Sequence, residues 1–262
     1  MRPLIALLSD FGSRDHYAGT MKGVMLGICP DALLVDITHD IRPHDILEGA
    51  LQLAAAFRYF PPGTIFLAVV DPGVGSARRG LAADTGDYRF VAPDNGLLTA
   101  VFREAAPRKV VELSERRYAR PTVSRTFEGR DRFAPAAAWL GKGIQLAALG
   151  RPLPVPERID IPLPVVEGDG LRGVVLLVDR FGNLVTTIDR GTFEAFAGER
   201  PVSITAGGQA VAGVVGTYAD IRPGEVCALF GSSNHLELAV NGGSAEAATA
   251  LARGAIVNVR PV

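Results

Sequence analysis

Residues 4–8 (LIALL) and 64–70 (TIFLAVV) are apolar throughout, and each run leads into an aspartate, Asp10 after Ser9 in the first case and Asp71 in the second. Uninterrupted apolar runs of that length fit strands covered on both faces, as in α/β sheets. Between them, 45–57 places Ile46, Leu47, Ala50, Leu51, Ala54 and Phe57 at helical spacing, and Pro61-Pro62 stops the helix from continuing. With 33–38 (LLVDIT) as the middle strand, 4–70 reads as strand, helix, strand, helix, strand. That alternation builds a mostly parallel sheet whose ligands bind beyond the carboxyl ends of the strands. The segment 150–170 carries five prolines and is expected to be an extended linker. Beyond it, GVVLLVD, NLVTTI, PVSIT, EVCALF, LELAV and AIVNV are short β-rich runs separated by glycine-rich breaks, the texture of a small antiparallel barrel or sandwich. The predicted architecture is an α/β N-terminal domain with a mostly parallel central sheet over 1–163, followed by a smaller all-β, barrel-like domain over 164–262. A domain of the second size buries its own surface poorly and often packs on a partner subunit.

Charge and composition narrow the function. The 262 residues hold 27 Lys and Arg against 28 Asp and Glu, which gives no basic excess to follow a phosphate backbone, so no nucleic-acid partner is expected. No run reaches about 18 apolar residues, and the N-terminal apolar stretch is broken at Asp10, so neither a membrane span nor a secretory signal is expected. Cys29 and Cys227 stand far apart with no metal or redox spacing, as small buried hydrophobes of a reducing compartment, and the expected location is the cytoplasm. His16, His39, His44 and His235 are scattered, so no metal site is expected from them.

Candidate chemistry gathers where strands end. Asp10 and Asp71 both follow strand runs and precede glycine-containing turns. A lone aspartate there more often caps the turn; two on one sheet point to a ligand crevice. The segment DPGVGSARRG imitates a dinucleotide fingerprint, but its third glycine would fall at Arg78, and it imitates a P-loop, but Leu81 stands where the lysine must be. What remains is an acid and a base, Asp71 and Arg78, around a glycine turn, as a ligand pair or as a loop-closing salt bridge. In Thr126-Phe127-Glu128-Gly129-Arg130-Asp131, Arg130 and Asp131 fit a capping network, whereas Glu128 sits beside a glycine that leaves room for a small molecule. In the second domain, a hairpin turn explains Gly182 and Asn183 but not Phe181, because a turn tip avoids a large exposed ring unless it covers something.

Taken in order, LSDFG (8–12), THDIRPHDILEGA (38–50), VVDPGVGSARR (69–79), APDNGLL (92–98), TFEGRD (126–131), DRFGNLVT (179–186) and GSSNHLELAVN (231–241) resemble the S-adenosyl-L-methionine (SAM) hydrolases, or SAM hydroxide adenosyltransferases, relatives of the fluorinases and chlorinases. The resemblance spans nearly the whole chain. It implies an α/β domain, a C-terminal β-barrel, and a homotrimer in which SAM lies between the first domain of one subunit and the second domain of its neighbour. The implied reaction is SAM plus water giving adenosine and L-methionine, with SAM as substrate and no cofactor. Position by position, Asp10 matches the carboxylate that holds the ribose diol, with Asp15 grouped beside it, and Asp71 and Arg78 match two members of an Asp-Arg-His triad. The usual TFHGRD reads TFEGRD here, which puts Glu128, followed by Gly129, in the histidine's place. Asp179 matches the acceptor of the methionine ammonium, and Phe181 and Asn183 the contacts to adenine. Ser232, Ser233, Glu237 and Val240 fall on the remaining ligand-facing turn and strand. Thr187 and Asn234-His235 depart from the family pattern on that second face. A negative Glu128 beside Asp71 disfavours a halide nucleophile and leaves water as the better one. The rival readings are a nucleoside-binding protein that lost turnover through Glu128 and a metal-dependent hydrolase built on Asp10, Asp15 and Asp71.

Overall fold

A computed structural model describes residues 2–262, which divide into two compact units with the boundary between Ile161 and Pro162. In the first unit the order is β1 (Leu4–Ser9), α1 (Tyr17–Ile28), β2 (Leu33–Thr38), α2 (Ile46–Phe57), β3 (Ile65–Val69), β4 (Gly80–Asp84), β5 (Arg89–Pro93), α3 (Thr99–Glu104), β6 (Lys109–Glu112) and α4 (Ala134–Gly141). The strands form one sheet in the order β2-β1-β3-β5-β4-β6. Only β4 runs against the rest, so the sheet is mostly parallel, as its apolar runs predict. Ile5, Leu7, Ile65, Leu67 and Val69 pack on Met21 and Met25 of α1 and the alanine-rich face of α4. On the opposite face, Phe66 and Phe90 stack at 5.1 Å, and Phe57 of α2 meets both rings edge-on. Helices cover both faces, and that is why β3 is apolar throughout and β1 is apolar up to its last residue, Ser9.

The proline-rich stretch is not a loose linker. Its first part is a strap on the sheet unit: Leu153 donates its N–H to Val110, Glu157 to Asp94 Oδ1 and Ile159 to Thr99 Oγ1, while Leu153 and Ile161 are buried. Proline removes donors, but the residues between the prolines keep theirs, and these tie the strap down. The alanine-rich stretch after Asp131 is helical only in part, α4 ending at Gly141 and a short turn following at Leu146–Leu149.

The second unit contains β7 (Val165–Glu167), β8 (Gly170–Val178), β9 (Leu184–Asp189), α5 (Arg190–Ala197), β10 (Val202–Ala206), β11 (Gln209–Val214), β12 (Val226–Phe230), β13 (His235–Val240), α6 (Ala245–Thr249) and β14 (Ile256–Pro261). The strands β14-β10-β11-β12-β13-β9-β8 follow one another, and the β14–β8 pairing closes them into a seven-stranded barrel with β7 outside the ring. Closure removes the open edges a small sheet would otherwise present. One pairing, β11 with β12, is parallel rather than antiparallel, because a long connection through 215–225 returns the chain in the same direction. Inward-facing Leu171, Leu184, Ile204, Leu236, Leu238 and Val257 fill the interior. Cys29 and Cys227 are free and buried. Among the described residues no helix is long and apolar enough to cross a membrane.

Candidate active site

Ser9 of β1 lies in register with Val69 of β3, so the chain leaves the two strands side by side and delivers Asp10 and Asp71 to one end of the sheet. Asp10 Oδ2 accepts the backbone N–H of His44 at 2.8 Å. His44 holds a left-handed backbone (φ 69°), a conformation that costs a non-glycine residue about 1 kcal/mol or more and persists where its surroundings impose it. Asp71 is half-buried as a residue, with 6% of its side chain exposed, and its Oδ2 accepts from Arg78 Nη2 at 2.7 Å. The same nitrogen donates to Glu128 Oε2 at 3.0 Å, so one guanidinium joins two carboxylates from distant parts of the chain. Arg78 also donates through Nη1 to the Arg79 carbonyl, and its guanidinium lies over the Phe133 ring at 5.2 Å. Arg132 Nη1 stands 3.5 Å from Glu128 Oε2. Asp71 and Glu128 thus meet two guanidiniums, and Asp10 stands close enough for its charge to act on Asp71, so three carboxylates face two cations, a balance that favours a cationic ligand.

Two atoms of this cluster are buried with no hydrogen-bond partner among the described residues: Asp71 Oδ1 and Arg78 Nε. Burial raises the Asp71 pKa; Arg78 opposes it, and the nearby Glu128 and Asp10 charges add to it. Asp71 and Glu128 line a pocket of about 150 Å³ with Phe11, Tyr17, Val69, Val74 and Phe127. The three rings interlock, with centroids 5.7 Å apart for Phe11–Tyr17, 5.9 Å for Phe11–Phe127 and 5.1 Å for Tyr17–Phe127. Gly129 lines the same pocket, and a Cβ there would lie 3.2 Å from Met21 Sδ, 3.4 Å from Phe127 Cε2 and 3.5 Å from Phe11 Cζ, so a side chain would crowd the wall.

Asp131 serves structure, but not as the helix cap the sequence suggests: neither helix start beside it has a side-chain cap, and Asp131 bonds Arg130 and the segment before them instead. It is fully buried and forked by Arg130 at 2.7 Å on each oxygen, and its Oδ2 also accepts from Ser124 N. Although burial raises its pKa, the bonds from Arg130 and Ser124 leave it below the usual carboxylate range. Asp15 is exposed on the turn before α1. Among the described residues no group of three or more His, Cys, Asp or Glu gathers to hold a metal.

In the barrel unit, Asp179 organises the β8–β9 turn. Its Oδ1 accepts from the N–H of Phe181 and of Asn183, and its Oδ2 from Asn183 Nδ2. That locks Asn183 in a buried place and holds Phe181 out, 76% exposed. Glu237 points away from the barrel interior on β13 and is 6% exposed; burial, with the Asp179 charge added, pushes its pKa up to about 7. Gly231 makes room for it, since a Cβ there would fall 1.8 Å from Glu237 Oε1. Ser232 and Ser233 are exposed on the neighbouring turn, and Val240 is buried at the end of β13.

The raised pKa of Glu237 has a consequence for stability. A carboxyl that binds its proton more tightly when folded stabilises the fold fully below its ordinary 4.5, and loses that contribution as pH rises through about 7. Glu237→Gln is therefore expected to make the substrate-free protein more stable at pH 8 by on the order of 3 kcal/mol. It should leave stability at pH 4 little changed. Urea denaturation at the two pH values measures both.

Sequence reasoning brought together Asp10, Asp71, Arg78, Glu128 and Gly129, and the structure gathers them at one end of the sheet. It missed the ring wall of Phe11, Tyr17 and Phe127, although Phe11 follows Asp10 and Phe127 precedes Glu128 directly. The sequence pattern of the SAM hydroxide adenosyltransferase N-terminal domain matches residues 5–150, and that of the corresponding C-terminal domain matches 173–258. An (R)-S-adenosyl-L-methionine hydrolase of Thermus thermophilus is 40% identical over 97% of this chain and 98% of its own length. A fluorinase of an Actinoplanes species is 33% identical over 74% of each chain. A solved structure of an uncharacterized conserved protein from Thermotoga maritima superposes with a TM-score of 0.92 at 36% identity, covering 98% of this chain and 99% of that one. With both domain patterns matched in order across most of its length, this chain belongs to the SAM hydroxide adenosyltransferase family.

Proposed function

We infer that this protein hydrolyses S-adenosyl-L-methionine to adenosine and L-methionine, water attacking the 5′ carbon at the Asp71–Arg78–Glu128 cluster. The observation that carries the mechanism is the pair of buried atoms without a protein partner, Asp71 Oδ1 and Arg78 Nε, on side chains already bonded to each other: the first calls for a donor and the second for an acceptor, and water is both. Asp71 is the proton acceptor, because burial raises its proton affinity and one of its oxygens is uncommitted. Glu128 shares the guanidinium with it and, with Arg132, balances the local charge. Sulfur leaves as neutral methionine, so the leaving group needs no acid. An oxygen growing negative meets a sulfonium and charge is annihilated, a step favoured where water is scarce and the dielectric low. By analogy with the names of its relatives, the substrate is the (R) sulfonium.

Asp10, held by His44, accepts the ribose hydroxyls, and the aromatic wall covers the sugar. A pocket of about 150 Å³ is smaller than the ~300 Å³ at which ligand pockets usually begin, so it takes only part of a molecule as large as SAM. The remainder is held by Asp179, Phe181, Asn183, Ser232, Ser233, Glu237 and Val240 on the barrel unit of a neighbouring subunit in a homotrimer. The free buried cysteines fit the cytoplasm as its location.

Turnover in ¹⁸O-labelled water tests the reaction. The label is expected in the 5′-hydroxyl of adenosine and not in methionine. In excess chloride adenosine should remain the product, because a halide would approach Asp71 and Glu128 against their charge. Intact SAM after prolonged incubation, or 5′-chloro-5′-deoxyadenosine as the main product, overturns the reading. Mixing Asp71→Asn subunits with Asp179→Ala subunits tests the shared site, since recovered activity requires one intact half from each.

A further inference from the structure

The motif Thr38-His39-Asp40 has no part in the chemistry above, yet His39 uses both ring nitrogens and its carbonyl in bonds around the Asp10 turn. Its Nδ1 lies 2.7 Å from Ser9 Oγ, its Nε2 3.1 Å from Asp36 Oδ1, and its carbonyl accepts the N–H of Gly12 at 2.7 Å. Ser9 precedes Asp10 directly. Lys22 donates to the other oxygen of Asp36, and together with His39 it holds that carboxyl below its usual range against the opposing effect of burial.

Serine, histidine and aspartate in hydrogen-bonded order are the parts of a nucleophilic triad. Burial excludes that use, because Ser9 is 0% exposed and no substrate atom reaches its hydroxyl. The directions of the bonds say what the chain does instead. Ser9 Oγ accepts the N–H of Phe11 at 3.3 Å, so it is already an acceptor for the turn that carries Asp10. Its own hydrogen, inside the protein, needs an acceptor, and His39 Nδ1 is the one within reach. That makes Nδ1 the unprotonated nitrogen and puts the imidazole hydrogen on Nε2, facing the ionised Asp36. The relay reads Asp36 to His39 to Ser9 to the Phe11 N–H.

We propose that His39 is a positioning residue for the ribose-binding carboxylate: as the Nε2–H tautomer selected by Asp36, it fixes the Ser9 hydroxyl and with it the Asp10–Phe11 turn. The relay staples the segment after β1 to the segment after β2. Two further bonds join the same segments, Ile41 N–H to the Ser9 carbonyl and His44 N–H to Asp10 Oδ2. Asp10 is thereby set from both sides. The assignment rests on the proposed role of Asp10 with the ribose.

The test uses the full-length protein and three variants. His39→Gln places its amide near the former Nε2 and offers Ser9 no acceptor, and Ser9→Ala removes the other partner. Both are expected to raise the KM for SAM and the Kd for adenosine at least tenfold while kcat stays within about threefold. His39→Asn sets its amide oxygen where Nδ1 stood and is expected to restore most of the affinity, which a merely space-filling role would not predict. On the unmodified protein, ¹⁵N–¹H imidazole spectra should show His39 protonated at Nε2 and not at Nδ1, a readout that survives if a variant fails to fold. An Nδ1–H tautomer, or unchanged KM and Kd in His39→Gln, overturns the proposal. If the unmodified protein releases no adenosine from SAM, the hydrolase reading falls, while the tautomer and adenosine affinity still decide the role of His39.

Discussion

Replacing Arg78 by methionine is expected to cut the rate of adenosine release by a factor of about 10³ and to destabilise the fold by about 3–5 kcal/mol. Both effects have one origin. Arg78 is the group that bonds Asp71 and Glu128 together, and all three side chains are at most about a tenth exposed. Without the guanidinium, two buried carboxylates face each other with Asp10 close enough to add to the repulsion. The protein then either unfolds more easily or takes up a proton, and that proton occupies the acceptor the reaction requires. Arg78→Lys separates the two effects. A lysine keeps the charge but cannot present Nη1, Nη2 and Nε in one rigid plane, so stability should largely return while the rate does not. Urea denaturation and initial rates on the same preparations measure this. Methionine at 78 leaving the rate within tenfold of the original would remove Arg78 from the mechanism.

Asp71→Asn is the second large effect, an expected loss of 10²–10⁴ in kcat with much less change in KM. Asparagine keeps the shape and the bond-accepting oxygen but cannot take the water's proton. In the unmodified protein the acid limb of kcat/KM should lie above the usual aspartate range, since burial together with Glu128 and Asp10 raises the Asp71 pKa. A general base works when ionised, so the rate falls as pH drops through that raised value. Glu128→Gln removes one of the charges that raise it, and the limb should then shift to lower pH while turnover survives. The reverse outcome, with Glu128→Gln silent and Asp71→Asn active, would give the proton to Glu128. Rate profiles from pH 4 to 9 with each variant distinguish the two.

Much of the architecture was legible because the determining forces are local or periodic. The apolar runs of β1 and β3 report burial on both faces, and the spacing of α2 reports one buried stripe. Strand β4 (GLAAD) was not legible: it is built of small residues, and it is a strand because β5 and β6 flank it. The strap 150–161 is hidden from the sequence for a related reason. Prolines advertise extended chain, but whether such a chain hangs free depends on the partners it meets, here Asp94, Thr99 and Val110.

At the site, Asp10 and Asp71 could be picked out by their position after strand runs, Arg78 as the base across the glycine turn from Asp71, and Glu128 by its neighbouring glycine and by family resemblance. Their chemical character could not. A carboxylate's proton affinity depends on what excludes water from it and which charges lie within a few ångströms, and those neighbours come from residues 50 positions apart for Arg78 and Glu128. The sequence alone determined the class of fold, the family, the acids that follow the strand runs and the base across the glycine turn, because periodicity, turn chemistry and motif order are written along the chain. Only the tertiary structure decided that one guanidinium holds two carboxylates, that an Asp71 oxygen is left over beside an aromatic pocket, and that His39 steadies the Asp10 turn, because hydrogen bonds and desolvation act across space between segments the chain keeps apart.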